Sequence, residues 1–111
     1  MKKVNIKDTG KHGWFVGCFP EAAYQTDQAE VCYVTEPPGE IKAHYHTKCT
    51  EIILIINGKA KLHNQIFQNG DIFVLKPGEI NDTEYLVPTT IISIKTPAGG
   101  HDKVLVDRNT I

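Results

Sequence analysis

Gly39-Glu40-Ile41-Lys42-Ala43-His44-Tyr45-His46-Thr47-Lys48-Cys49-Thr50-Glu51-Ile52-Ile53-Leu54-Ile55-Ile56-Asn57-Gly58 is the stretch on which the reading of this chain turns. His44 and His46 are one residue apart, so in an extended backbone both imidazoles point to the same side. A polar link, Thr47 to Thr50, leads to Glu51, which opens the apolar run Ile52–Ile56. Asn57-Gly58 closes the run with a two-residue hairpin signal. A strand carrying two imidazoles is thus followed by one that begins with a carboxylate. Where the two strands lie close, the three groups converge on a donor set known from Fe(II) facial triads. A carboxylate buried there is costly unless it is paired or coordinated.

These residues resemble the first motif of the cupin superfamily: glycine, His-x-His, a short gap, Glu, six residues, Gly. Gly39 stands one residue closer to His44 than that pattern has it, and both later gaps fit. The stretch Gly70-Asp71-Ile72-Phe73-Val74-Leu75-Lys76-Pro77-Gly78-Glu79-Ile80-Asn81 resembles the second motif. It carries Lys76 where the family usually has proline, and Asn81 where it has its third histidine ligand. The resemblance implies an all-β fold, the cupin double-stranded β-helix or jelly-roll barrel. It implies one cupin domain over residues 1–111, with motif one at 39–58 and motif two at 70–85. It also implies a divalent metal (Fe, Mn, Ni or Zn) on His44, His46 and Glu51, with Asn81 offering a neutral carbonyl oxygen, a weaker donor than imidazole. With that histidine missing, a barrel without metal stays open. The string Ala43–Lys48 is further similar to the His-x-His-x-Lys segment of cupin-type sugar-nucleotide ketoisomerases, where histidine works as an acid/base without metal.

Composition sets the frame. A chain of 111 residues with 41% hydrophobic and 23% charged residues is the size of one globular domain. A net charge of −1 gives no footprint for nucleic acid and no polybasic patch for a membrane surface. Cys18, Cys32 and Cys49 lack CxxC spacing and read as reduced thiols. No run is long enough to span a bilayer as a helix, so a cytoplasmic location is expected.

Helical periodicity is nearly absent; only Glu21–Gln25 offers one turn. Short strand-like runs fill the rest: Val4–Ile6, Trp14–Phe19, Glu30–Thr35, Ile41–His46, Glu51–Ile56, Lys59–His63, Gln65–Gln68, Asp71–Leu75, Thr83–Val87, Thr90–Thr96 and Lys103–Val106. With Glu51 facing inward, Ile53 and Ile55 face inward too, and Ile52, Leu54 and Ile56 form an outer apolar stripe. Such a stripe needs a cover, either the N-terminal strands or a second subunit, and a homodimer is expected. Alternation after Pro77-Gly78 places Asn81, Thr83 and Tyr85 on one face, so Tyr85 shares the cavity with Asn81.

His12, His63 and His101 read as surface histidines, Cys49 as a buried thiol bordering the pocket, and Lys48 as a solvated loop residue. Trp14 and Phe15 read as core or dimer packing, with stacking on a sugar ring the alternative. Two functions follow. One is a metal-dependent enzyme, of isomerase/epimerase or dioxygenase type, acting on a small polar metabolite such as a sugar derivative. His44, His46 and Glu51 hold the ion there, and Tyr85 and His46 are the catalytic candidates. The other is a non-catalytic cupin module that binds a small molecule or sugar without metal.

Overall fold

The computed structural model describes residues 1–98 and 101–111. Its strands, in chain order, are β1 (Trp14–Gly17), β2 (Tyr24–Gln25), β3 (Glu30–Glu36), β4 (Gly39–Glu40), β5 (His44–His46) and β6 (Thr50–Asn57). Then follow β7 (Lys59–Leu62), β8 (Gln65–Gln68), β9 (Ile72–Leu75), β10 (Glu84–Tyr85), β11 (Thr89–Thr96) and β12 (Lys103–Leu105). A six-stranded sheet runs β2-β1-β3-β11-β6-β9 and a four-stranded sheet β4-β10-β7-β8; β12 and β5 pair separately. All pairings are antiparallel except β1 with β2. The all-β expectation holds.

The two larger sheets share one core. The six-stranded sheet contributes Ile53, Ile55, Phe73, Leu75 and Ile91, and the four-stranded sheet contributes Ala60, Leu62 and Tyr85. Phe67 of β8 meets Phe73 of β9 across the gap, ring centroids 5.1 Å apart. Along β6 the burial alternates as period two demands: Glu51, Ile53 and Ile55 are buried, while Ile52 and Leu54 are half-buried and Ile56 is exposed. Asn81, Thr83 and Tyr85 alternate inward in the same way.

Several expected elements differ. Asn57-Gly58 is not a hairpin: β6 lies between β11 and β9, and β7 lies between β10 and β8. The chain changes sheets at Gly58, whose φ is +134°. The Gly58 N–H donates to Asn69 Oδ1 at 2.8 Å, and a Cβ there would stand 2.7 Å from Thr89 Cα. The real two-residue hairpin joins β7 and β8 at His63-Asn64, where φ is +48° and +60°, the signature of a type I′ turn. Val4–Ile6 is not a strand, because the Asn5 side chain accepts from the Lys7 N–H and starts a 3₁₀ turn over Ile6–Asp8. Of Ile41–His46 only His44–His46 is a strand, β5, which pairs with β12. The turn expected over Glu21–Gln25 ends instead in β2, parallel to β1.

Gly58→Ala is therefore expected to destabilise by about 1–3 kcal/mol from backbone strain alone. The close approach to buried Thr89 adds to this. Urea unfolding measures it, and a change within about 0.5 kcal/mol, usual for surface sites, would contradict the sheet-switching role.

Candidate functional site

The site is built where β5 and β6 meet the segment around Asn81. His44 and Asn81 exchange backbone hydrogen bonds, at 3.1 Å from the His44 N–H and 2.7 Å from the Asn81 N–H. On its other side β5 is paired with β12, placing Lys103 opposite His46 and Leu105 opposite His44. Held on both edges, the strand turns His44 and His46 to the same buried side, each 6% exposed, their rings edge-to-face with centroids 5.2 Å apart. Glu51, also 6% exposed, enters from β6. The atoms of His44, His46 and Glu51 able to ligate a cation all lie within 4.8 Å of one another.

Hydrogen bonding fixes which nitrogens are available. His44 Nδ1 lies 2.8 Å from the Lys42 carbonyl oxygen, which only accepts, so Nδ1 carries the proton and Nε2 the lone pair. Burial, reinforced by the positive charge of Lys103, pushes the His44 pKa down, against the opposing pull of that Lys42 hydrogen bond. His46 Nδ1 lies 2.8 Å from Asp102 Oδ1 and donates to it, leaving the His46 Nε2 lone pair free. That Nε2 is buried and has no hydrogen-bond partner among the described residues. Two imidazoles oriented from behind through Nδ1, with both Nε2 atoms free, match the outer-shell arrangement found behind metal-ligating histidines. An orphaned buried nitrogen beside a second imidazole and a carboxyl group fits a divalent cation.

Asp102 is the support that the sequence did not point to. Oδ1 takes the His46 ring, and Oδ2 accepts from the N–H groups of Lys48 and Cys49, both at 2.9 Å. Burial by itself would raise its pKa. The Cys49 N–H, the His46 ring and the Lys48 N–H outweigh that and hold the carboxyl well below the usual range. The ligand atoms of His46, Cys49 and Asp102 also lie within 4.8 Å of one another. The Cys49 thiol, however, is pushed up to about 12 by burial and by Asp102, so it stays protonated and inert. This second group braces His46.

Asn81 departs from the ligand role expected of it. Its Oδ1 accepts from the Thr83 backbone N–H at 3.1 Å and from the Thr83 hydroxyl. A backbone N–H requires an acceptor, which fixes the orientation of the amide. The Asn81 Nδ2 group therefore faces Glu51 Oε1, at 3.2 Å, as a donor. Asn81 stands beside the site and orients Glu51.

A cavity of about 200 Å³ opens onto His44, Glu51, Asn81 and Tyr85. Tyr85 is 5% exposed, and burial, then Glu36 and Glu51, raise its pKa, so the phenol keeps its proton at neutral pH. At the mouth stand His12, Trp14, Lys42, Lys95 and Lys103. Trp14 is thus a wall of the cavity, with Lys95 Nζ 4.8 Å from its ring centroid. His12 is exposed, as expected, and also reaches this rim through its left-handed backbone, φ +57°. His63 and His101 are exposed surface histidines, and Lys48 is exposed.

No family model matches the sequence, and no curated protein is significantly similar to it. Solved structures do match. A conserved protein with a double-stranded β-helix domain from Klebsiella pneumoniae is 20% identical with a TM-score of 0.69, covering 96% of this chain and 93% of that one. This is the cupin fold. The Streptomyces nucleoside dehydratase Pac13 shares it at 14% identity and a TM-score of 0.69, covering 96% of this chain and 91% of that one. So does the DMSP lyase DddQ from Ruegeria pomeroyi, at 16% identity and a TM-score of 0.69, covering 94% of this chain and 59% of that one. The two cupin motifs read from residues 39–58 and 70–85 led to the correct fold.

Proposed function

We propose that the chain is a metal-dependent enzyme of the cupin fold acting on a small polar metabolite, with His44, His46 and Glu51 holding one divalent cation. The observation that carries this reading is the buried, unpartnered Nε2 of His46 beside His44 and Glu51. Such a cation supplies Lewis-acid polarisation of a substrate oxygen. The chain's own residues do the rest. Asp102 and the Lys42 carbonyl hold the two imidazoles in the ligating tautomer, and Asn81 fixes the carboxyl group of Glu51. Tyr85 brings a protonated hydroxyl to the cavity wall, and this suits proton transfer beside a polarised oxygen, the chemistry of an isomerase or epimerase, better than oxygenation. Solved relatives in fold include a lyase and a dehydratase, so the fold accommodates catalysis on small molecules.

Elemental analysis tests the reading: the protein is dialysed against Mn, Fe, Ni or Zn and then against metal-free buffer. About one retained ion per chain is expected for at least one metal. A barrel that retains none, yet binds a small sugar, is instead a non-catalytic binding module.

The proposal includes self-association. Ile72 and Val74 on the edge strand β9 are 58% and 51% exposed, and they lie across from Leu54 and Ile52. An apolar edge strand left in water invites pairing, and a two-fold dimer through this face covers it. Sedimentation is expected to give a dimer mass for the native chain and a monomer mass for Ile72→Glu combined with Val74→Glu. A monomeric native chain removes the dimer.

A further inference from the structure

The rim of the cavity carries more positive charge than the protein around it. Three lysines, Lys42, Lys95 and Lys103, line it against two carboxyl groups, Glu36 and Glu51, in a chain whose net charge is −1. The lysines come from three separate places: the break after β4, the end of β11 and the start of β12. Neither Lys42 nor Lys103 takes part in a salt bridge among the described residues. Lys95 is half-buried and lies over the Trp14 ring, a contact that draws an ammonium towards an aromatic face without neutralising it. In a concave site with low-dielectric walls such charges focus the field and raise the local concentration of anions.

We propose that the ligand of this site is a small organic carboxylate, held by Lys95 and Lys103 at the mouth while its other oxygens face His44, Glu51 and Tyr85. This rests on the reading of the same cavity as the active site. Size supports it, since about 200 Å³ lies below the range of about 300–1,000 Å³ that drug-sized ligands occupy. Charge supports it too. Glu51 is the one carboxyl group of the lining in the candidate cation set, and a divalent ion there makes the pocket more positive still. With three lysines against Glu36 and Glu51, the lining carries an excess of one positive charge that an anionic ligand offsets and a neutral one does not.

The test uses malonate and its neutral counterpart malonamide as probes, titrated calorimetrically into manganese-loaded and chelator-treated protein. Metal content is measured on the same samples. Malonate is expected to bind and malonamide not. Raising ionic strength from about 0.01 M to about 0.15 M shortens the screening length from about 30 Å to about 8 Å and should weaken malonate measurably. Lys95→Met and Lys103→Met are each expected to weaken malonate up to about fivefold, as for partly exposed ion pairs, and the double variant more than either alone. Each variant should still retain about one manganese ion per chain and unfold cooperatively, with Lys95→Met losing only its contact with the Trp14 ring. Unchanged malonate affinity in the double variant, or equal binding of malonamide, overturns the proposal while leaving the metal reading intact. Lysine-dependent malonate binding by a chain that retains no metal overturns the metal reading and upholds this one.

Discussion

Asp102→Ala is expected to destabilise the metal-free protein by about 3–5 kcal/mol, the range for removing one partner from a buried pair. It is also expected to weaken divalent-metal affinity about ten- to a hundredfold, as loss of an outer-shell partner does. The reason is the number of donors that depend on this side chain. The Lys48 N–H, the Cys49 N–H and His46 Nδ1 all donate to it, and alanine removes the acceptor of all three at once. Asp102→Asn separates the two effects. Its single carbonyl oxygen satisfies the two backbone N–H groups, and its NH₂ group then faces His46 Nδ1. The imidazole must accept there, so its proton moves to Nε2 and the ligating lone pair is lost. Stability is then expected to fall by less than in the alanine variant, while metal affinity falls at least as far. Denaturant unfolding and competitive metal titration read the two quantities. A loss in Asp102→Ala within the roughly 0.5 kcal/mol typical of surface substitutions would remove Asp102 from the site.

That contrast also explains what could be read in advance. His44, His46 and Glu51 lie within eight residues of one another, and the period of an extended chain places the two imidazoles together without knowledge of any partner strand. The inward set Glu51, Ile53 and Ile55 follows from the same rule. Asp102 lies 56 positions from His46, and nothing local marks it. Its neighbour Lys103 carries only the signal of a strand start, β12. Lys95 and Trp14 meet because β11 and β1 both flank β3, a matter of strand order that composition does not encode. Asn57-Gly58 differs from its hairpin expectation for a related reason. The dipeptide supplies the unusual φ of a tight turn, but a hairpin also needs both flanking strands in one sheet, and here they belong to two. The turn at His63-Asn64 has the required positive φ at both positions and lacks the glycine that announces it. The period of two puts Asn81 on the buried face with Thr83 and Tyr85. Its amide orientation depends on Thr83, whose hydroxyl and N–H claim the oxygen.

Glu51→Ala is expected to act in the opposite balance: metal affinity falls at least about a hundredfold, beyond the usual outer-shell cost, while the metal-free fold is retained. Among the described residues the carboxyl group accepts one hydrogen bond, from Asn81 Nδ2 at 3.2 Å, and β6 is held by its ladders to β11 and β9 and by buried Ile53 and Ile55. Removing it leaves one amide proton pair without an acceptor, a cost of about 1–3 kcal/mol. It also takes a carboxyl group out of an enclosed position where it is tolerated only with a partner. The two effects oppose each other, so the net change in the metal-free chain is small. The difference appears on loading. A site filled at a thousand times its dissociation constant stabilises the native protein by about 4 kcal/mol, and Glu51→Ala forfeits that increment at the same metal concentration. Thermal unfolding with and without manganese therefore separates the cases: the native chain gains stability on loading and the variant does not. An equal gain in both would show that the cation binds without Glu51. Collapse of the variant even without metal would make Glu51 a structural residue, leaving two histidines, which are too few to hold the ion.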